Sequence, residues 1–341
     1  MTQKKPRKRR RPGVQRIVEA VKQHRIEMVA TDGDGTMYPF WDYFVPAMQK
    51  FIPYLASVLD HKDLDSLSRE IGRVMTLYGT HEHPWSLEET WMRKQFAGSA
   101  EEFRSTVTVP FWASLDRYRT KYLRLYHDVR ETLQALHEAG IPVVLVSDAP
   151  AHMAVVRATQ TGVDELLAGC YALETEEPKA EAGLSDDDLS YGRERVRELG
   201  NTPHRFKIFR TMPKSHEKPS PLGLQLAMKD FGITDPSKVL FVGDSLKKDG
   251  GVAQTVGALF VWARYGTNLP GGYKELIDVK FNPSAHGAPS TSGHGVSFLP
   301  EVLPPMVAQA ASFAELLKHL VRARSSNTGT ILTPSATASA T

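Results

Sequence analysis

The sequence predicts an α/β protein: a parallel sheet with helices on both faces and a mostly α-helical cap inserted after the first core strand. Two observations carry this expectation. Between Ile26 and Trp262, short continuous apolar runs alternate with segments of helical spacing, the pattern of strands buried on both sides. The stretch from Phe40 to Tyr126 breaks that alternation. It is rich in Trp, Tyr, Phe, Leu and charged residues, has helical spacing and carries few strand signals.

Taken in order, Ile26 to Thr31 reads as the first strand. Asp128 to Ala139 reads as a helix, with Val129, Leu133 and Leu136 on one face and Gly140 as its stop. Pro142 to Val146 reads as a fully buried strand, and Ala151 to Gly162 as the helix after it. Pro221 to Gly232 begins with Pro and ends with Gly, the expected asymmetry of a helix. Val239 to Val242 and Ala258 to Trp262 read as two further strands. Inside the helical stretch, Ser86 followed by Glu89 predicts a capping box that opens a helix. Thr175 to Arg205 is polar and acidic and is expected to be a surface excursion.

A chain of 341 residues is longer than one compact core usually needs, which favours a core plus a second module. The expected division is a basic tail at 1–13, a core at 14–39 and 127–324, a helical cap at 40–126 and a Ser/Thr/Ala-rich tail at 325–341. Within the core, 175–205 and 282–305 are expected to be surface insertions. No apolar run reaches membrane-spanning length, and no apolar stretch follows the basic N-terminus as a secretory signal requires. The one cysteine, Cys170, forms no internal disulfide; it is expected to be core packing in a reducing, cytoplasmic setting. Net charge is +3, but residues 1–13 hold seven cations and no acid, so the rest of the chain sums to −4. Such a tail is either a solvated extension or a hold on nucleic acid or anionic membrane by charge alone.

Four short segments carry chemistry, each at the carboxyl end of a predicted strand or just before a helix. That edge is where open α/β sheets bind ligands. Asp32-Gly33-Asp34-Gly35-Thr36 places two carboxylates two residues apart in a Gly-rich turn. One carboxylate can attack phosphorus, the other can exchange a proton with the leaving oxygen, and the glycines let backbone N–H groups approach phosphate. Ser147-Asp148 ends the second strand, where a hydroxyl can donate to a phosphate oxygen or cap the next helix. Lys218 precedes the Pro-led helix; Lys214, four residues earlier, lacks that context. Asp244 follows the Val239–Val242 strand as a hard oxygen donor suited to magnesium, with Asp249 one helical turn further on.

Together these segments resemble the haloacid dehalogenase-like (HAD) superfamily, whose Rossmann-like core carries its motifs in this order: DGDGT, a strand ending in Ser, a Lys before a helix, then GDSLKKD. The resemblance covers about 16–40 and 127–320. It implies Asp32 as nucleophile and Mg2+ ligand. Asp34 would be general acid/base, with its backbone carbonyl on the metal. Gly33, Ser147, Asp148 and Lys218 would hold phosphate, Asp244 would complete the metal site, and Asp249 would support it. The halide-removing branch lacks an acid at the place of Asp34, so the resemblance implies a phosphatase or phosphomutase. The helical insert looks like a C1 cap, which implies a small phosphorylated substrate. Two competing readings are a phosphatase or phosphotransferase on nucleotides or nucleic-acid ends, held by the basic tail, and a non-catalytic binding protein of this fold.

In the cap, Thr80-His81-Glu82-His83-Pro84-Trp85 reads chiefly as a surface loop between helices; substrate contact and a transition-metal site are the alternatives. Phe40, Trp41, Tyr43 and Phe44 lie near the expected hinge and either pack in the core or line the pocket.

Overall fold

The computed structural model describes residues 25–268, the short pair 308–309, and residues 312–313. The 1–13 tail, the 282–305 loop and the 325–341 tail lie outside the described residues. Among the described residues, seven parallel strands form one sheet in the order β4-β3-β2-β1-β5-β6-β7. They are β1 (Met28–Thr31), β2 (Val143–Pro150), β3 (Gly169–Leu173), β4 (Ile208–Met212), β5 (Val239–Gly243), β6 (Leu259–Trp262) and β7 (Ala308–Gln309). Register is fixed by the central strands, with Thr31 opposite Leu145 on one side and Val242 on the other.

Alternation along each strand divides the core into two layers. Val29, Leu145 and Leu240 face one side, under α6 (Val129–Glu138) and α7 (Ala151–Thr161). Ala30, Val146 and Phe241 face the other, under α9 (Leu222–Asp230) and α10 (Gly251–Val256). Burial on both faces is why these strands are continuously apolar. Phe313 packs into the first layer, and Cys170 is fully buried there.

Between β1 and β2 lies the helical cap: α1 (Trp41–Val58), α2 (Leu64–Tyr78), α3 (Trp91–Gln95), α4 (Ala100–Phe103) and α5 (Val109–Tyr122). It has its own apolar core, in which Phe51 of α1 meets Phe111 of α5 at 5.1 Å between ring centres. Asp63 caps α2 by accepting the Asp65 and Ser66 N–H groups at 3.0 Å.

Three expectations are corrected here. Ser86 and Glu89 open no helix: residues 81–90 form turns, and the Ser86 hydroxyl donates to the His83 carbonyl at 2.6 Å. The capping boxes are at Ser99/Glu102 and Ser185/Asp188. The 80–85 stretch is not a surface loop either, because His81, Glu82, His83 and Trp85 are all buried.

The third correction concerns 175–205, which is more than a polar excursion. It contains α8 (Asp186–Gly200), and that helix straps the cap to the core. Trp85 Nε1 donates to the Leu189 carbonyl at 3.0 Å, Arg93 pairs with Asp188 at 2.6 Å, and Arg195 pairs with Asp116 at 2.8 Å while lying over the Trp112 ring. Acidic residues in the first turn of α8 favour the positive end of its dipole. Their partners are distant in sequence, so composition alone made the segment look like a loop.

Candidate active site

Strand register assembles the site. Because Thr31 sits beside Val242 and Leu145, the residues that follow β1 and β5 emerge together at the carboxyl edge, next to the end of β2. The Asp32 N–H donates to the Val242 carbonyl at 2.9 Å, which carries the pairing one residue past β1. Gly35 has φ +72°, and a Cβ there would lie 2.3 Å from Asp244 Oδ2, so only glycine lets this turn rest against Asp244.

A cavity of about 160 Å³ opens at this edge. Asp32, Asp34, Ser147, Asp148, Lys218, Asp244 and Asp249 all line it, together with Phe40, Trp41, Thr80, His81 and Glu82 from the hinge and cap. Gly33 is buried in the turn below them, its carbonyl accepting the Met37 N–H at 2.8 Å. Tyr43 and Phe44 belong to the cap core, whereas Phe40 and Trp41 reach the cavity.

Lys218 is the electrostatic centre. Its ammonium lies 2.6 Å from Asp32 Oδ1 and 2.7 Å from Asp249 Oδ1. Burial acts to lower its pKa, but Asp249, Asp32 and Asp148 together hold it well above the usual lysine range. Asp148 accepts the Lys218 backbone N–H at 3.0 Å and the Lys248 ammonium at 2.8 Å, and Lys248 also pairs with Glu217 at 3.1 Å. A carboxylate so engaged orients Lys218 and Lys248 and offers no donor to a phosphate oxygen. The Ser147 hydroxyl accepts the Ala149 N–H at 3.1 Å, which leaves its proton free to point elsewhere. Lys214 instead donates to the Tyr78 carbonyl at 2.7 Å, away from this cavity.

Carboxylate oxygens of Asp32, Asp244 and Asp249 lie within 4.8 Å of one another. Burial, then the neighbouring Asp32 and Asp249 charges, push the Asp244 pKa well up. Burial also raises Asp249 to about 6, against the pull of Lys218. Buried Asp32 and Asp249, which share one ammonium, and half-buried Asp244 beside them are an anionic excess, and their hard oxygens suit Mg2+, which would relieve it. Asp249 is additionally tied to the Ser245 N–H at 2.9 Å.

The resemblance did not point to Arg157. It is 1% exposed on α7 and joins three parts of the protein. Its guanidinium donates to Asp34 Oδ2 at 3.0 Å, to the Tyr43 hydroxyl at 3.2 Å, and to Glu82 of the cap. Tyr43 in turn donates to Glu82 at 3.1 Å. A third of the Asp34 side chain faces the cavity. Even so, desolvation raises its pKa to about 7, over the opposing pull of Arg157. A cation in the middle of a predicted apolar helix was the available signal.

Two family models match the chain: haloacid dehalogenase-like hydrolase over residues 26–184, and HAD-hydrolase-like over residues 216–284. No curated protein matches. Among solved structures, the chain is similar to a predicted phosphoglycolate phosphatase from Haemophilus somnus 129pt, at 19% identity and TM-score 0.43, over 86% of this chain and 97% of that one. It is also similar to 2-haloacid dehalogenase from Pseudomonas syringae pv. tomato DC3000, at 14% identity and TM-score 0.48, over 87% and 99%. A third is a HAD phosphatase from Thermococcus onnurineus, at 16% identity and TM-score 0.48, over 86% and 97%.

Proposed function

The chain belongs to the haloacid dehalogenase-like hydrolases, and from that premise we propose that it hydrolyses the phosphate monoester of a small metabolite through an aspartyl phosphate on Asp32. The observation that carries this reading is the convergence of Asp32, Asp34, Ser147, Lys218 and Asp244 on one cavity.

In this reading the Asp32 carboxylate attacks phosphorus while the bond from phosphorus to the leaving oxygen breaks. Asp34 gives that oxygen its proton. It then takes a proton from the water that attacks phosphorus, and the bond to Asp32 breaks, which restores both acids. A carboxyl near 7 suits both directions of transfer. Lys218 and the Ser147 hydroxyl neutralise and orient the phosphoryl oxygens. Mg2+, held by Asp32, Asp244 and the Asp34 carbonyl with Asp249 in support, would supply charge neutralisation at the transferring group. The aromatic and cap residues over the cavity exclude water.

The acid at Asp34 favours phosphate over halide removal. The confined cavity favours a small molecule over a strand end. Cys170, a lone buried thiol, is consistent with a cytoplasmic setting. Purified protein is expected to hydrolyse 4-nitrophenyl phosphate only with added Mg2+. Activity that survives chelation of all divalent metal contradicts the reading.

A further inference from the structure

Three cations line the cavity among the described residues, and none has spare charge. Lys218 is shared by Asp32 and Asp249, at 2.6 and 2.7 Å. Lys248 is shared by Asp148 and Glu217, at 2.8 and 3.1 Å. Arg157 is shared by Asp34 and Glu82. Against these three, six carboxylates line the same space. A phosphate seated at Lys218 and Ser147 uses the one cation positioned for it.

What remains for the leaving group is the hinge and cap wall. There Phe40, Trp41 and His81 meet edge to face or tilted, with ring centres 4.9 to 5.7 Å apart. Burial, then Lys248, lower His81 to about 4, so this ring is neutral near pH 7. Thr80 and the Glu82 carboxylate complete the wall.

We infer that the site selects monoesters whose alcohol carries no second anion: a small uncharged or ammonium-bearing alcohol, received by the Phe40–Trp41–His81 wall beside Glu82. Among the described residues, a carboxylate or second phosphate on the alcohol meets no unpaired cation and lies against the Glu82 carboxylate. It is unfavourable by ordinary like-charge repulsion in a partly desolvated space. An ammonium gains from the same Glu82 carboxylate and from the ring faces. This inference rests on the phosphatase reading above and names its substrate class.

The test is kcat/KM with Mg2+ at pH 7 for two size-matched pairs, 2-aminoethyl phosphate against phosphoglycolate and glycerol 3-phosphate against 3-phosphoglycerate. 4-Nitrophenyl phosphate serves as the control for catalysis. The first member of each pair is expected to exceed the second by at least ~10-fold, a difference of ~1.4 kcal/mol. Equal or faster turnover of phosphoglycolate or 3-phosphoglycerate, with the control active, overturns the inference alone. No hydrolysis of any ester, control included, overturns the phosphatase reading and the inference with it. Glu82→Gln releases Arg157 in part and is expected to narrow both ratios through KM. Unchanged ratios in a folded, active variant remove Glu82 from the selection, while the wild-type ratios decide the inference whether or not that variant folds.

Discussion

Replacing Arg157 by Met tests whether one buried cation holds cap and core together. Arg157 is 1% exposed and Glu82 2% exposed, so neither charge can turn to water when the other is lost. Met fills much of the arginine stem but leaves the Glu82 carboxylate, among the described residues, with only the Tyr43 hydroxyl at 3.1 Å. Removing one partner of a buried ion pair costs about 3–5 kcal/mol. The Asp34 contact adds little, ~0.5 kcal/mol, because that carboxylate is partly screened. Urea denaturation with m-values checked for two-state behaviour is the assay. Arg157→Met is expected to lose about 3–5 kcal/mol. The Arg157→Met/Glu82→Leu double variant, which leaves no buried charge at that contact, should be more stable than Arg157→Met alone. A single-variant loss below ~1 kcal/mol, or a double variant as unstable as the two singles summed, would refute the reasoning.

Other perturbations read other parts of the structure. Asp32→Asn should remove Mg2+-dependent aryl-phosphate hydrolysis by at least ~1000-fold in steady-state assays; turnover in a preparation free of deamidation and contaminants removes the nucleophile assignment. Glu88 is buried, accepts the Thr108 hydroxyl at 2.6 Å, and is raised by burial from 4.5 to about 7. Its contribution to stability is therefore fully present below pH 4.5 and is lost as pH rises through about 7. Glu88→Gln should match the wild type at pH 5 and exceed it at pH 8 by on the order of 2–3 kcal/mol; a difference that ignores pH would count against this. Gly192 on α8 has no room for a side chain, since a Cβ would lie 2.3 Å from the Trp85 indole. Gly192→Val should displace Trp85, lower stability by about 1–3 kcal/mol and shift tryptophan fluorescence; unchanged emission and melting temperature would mean α8 does not clamp the cap.

The parts of the fold legible in the sequence are those where local pattern and burial agree. Continuous apolar runs gave β1, β2, β5 and β6, because each is buried on both faces. Gly-stopped periodicity placed α6 and α7 within a residue or two of their ends. Strand β4 was not legible, since it lies at the sheet edge with an exposed Arg210 that pairs with Asp230. Helix α8 was hidden because its stability comes from Trp85, Arg93 and Asp116, which are about 80 to 100 residues away. The convergence of Asp32, Ser147, Lys218 and Asp244 follows from motif order at strand tips. Arg157 and Glu82 do not follow from it: the one local mark is a cation in an apolar helix, and nothing local ties it to a cap residue 75 positions away. Asp148, expected at the phosphate, lines the cavity with its carboxylate engaged by Lys218 and Lys248.

Trapping the covalent intermediate bears most directly on the central claim. Protein turning over a good monoester with Mg2+ is quenched in acid within milliseconds, reduced with borohydride and mapped by peptide mass spectrometry. A phosphorylated Asp32 is expected to be recovered as homoserine at position 32, with Asp34, Asp244 and Asp249 unmodified. Phosphate or homoserine found at another residue, or rapid turnover with position 32 unmodified throughout, would contradict the account.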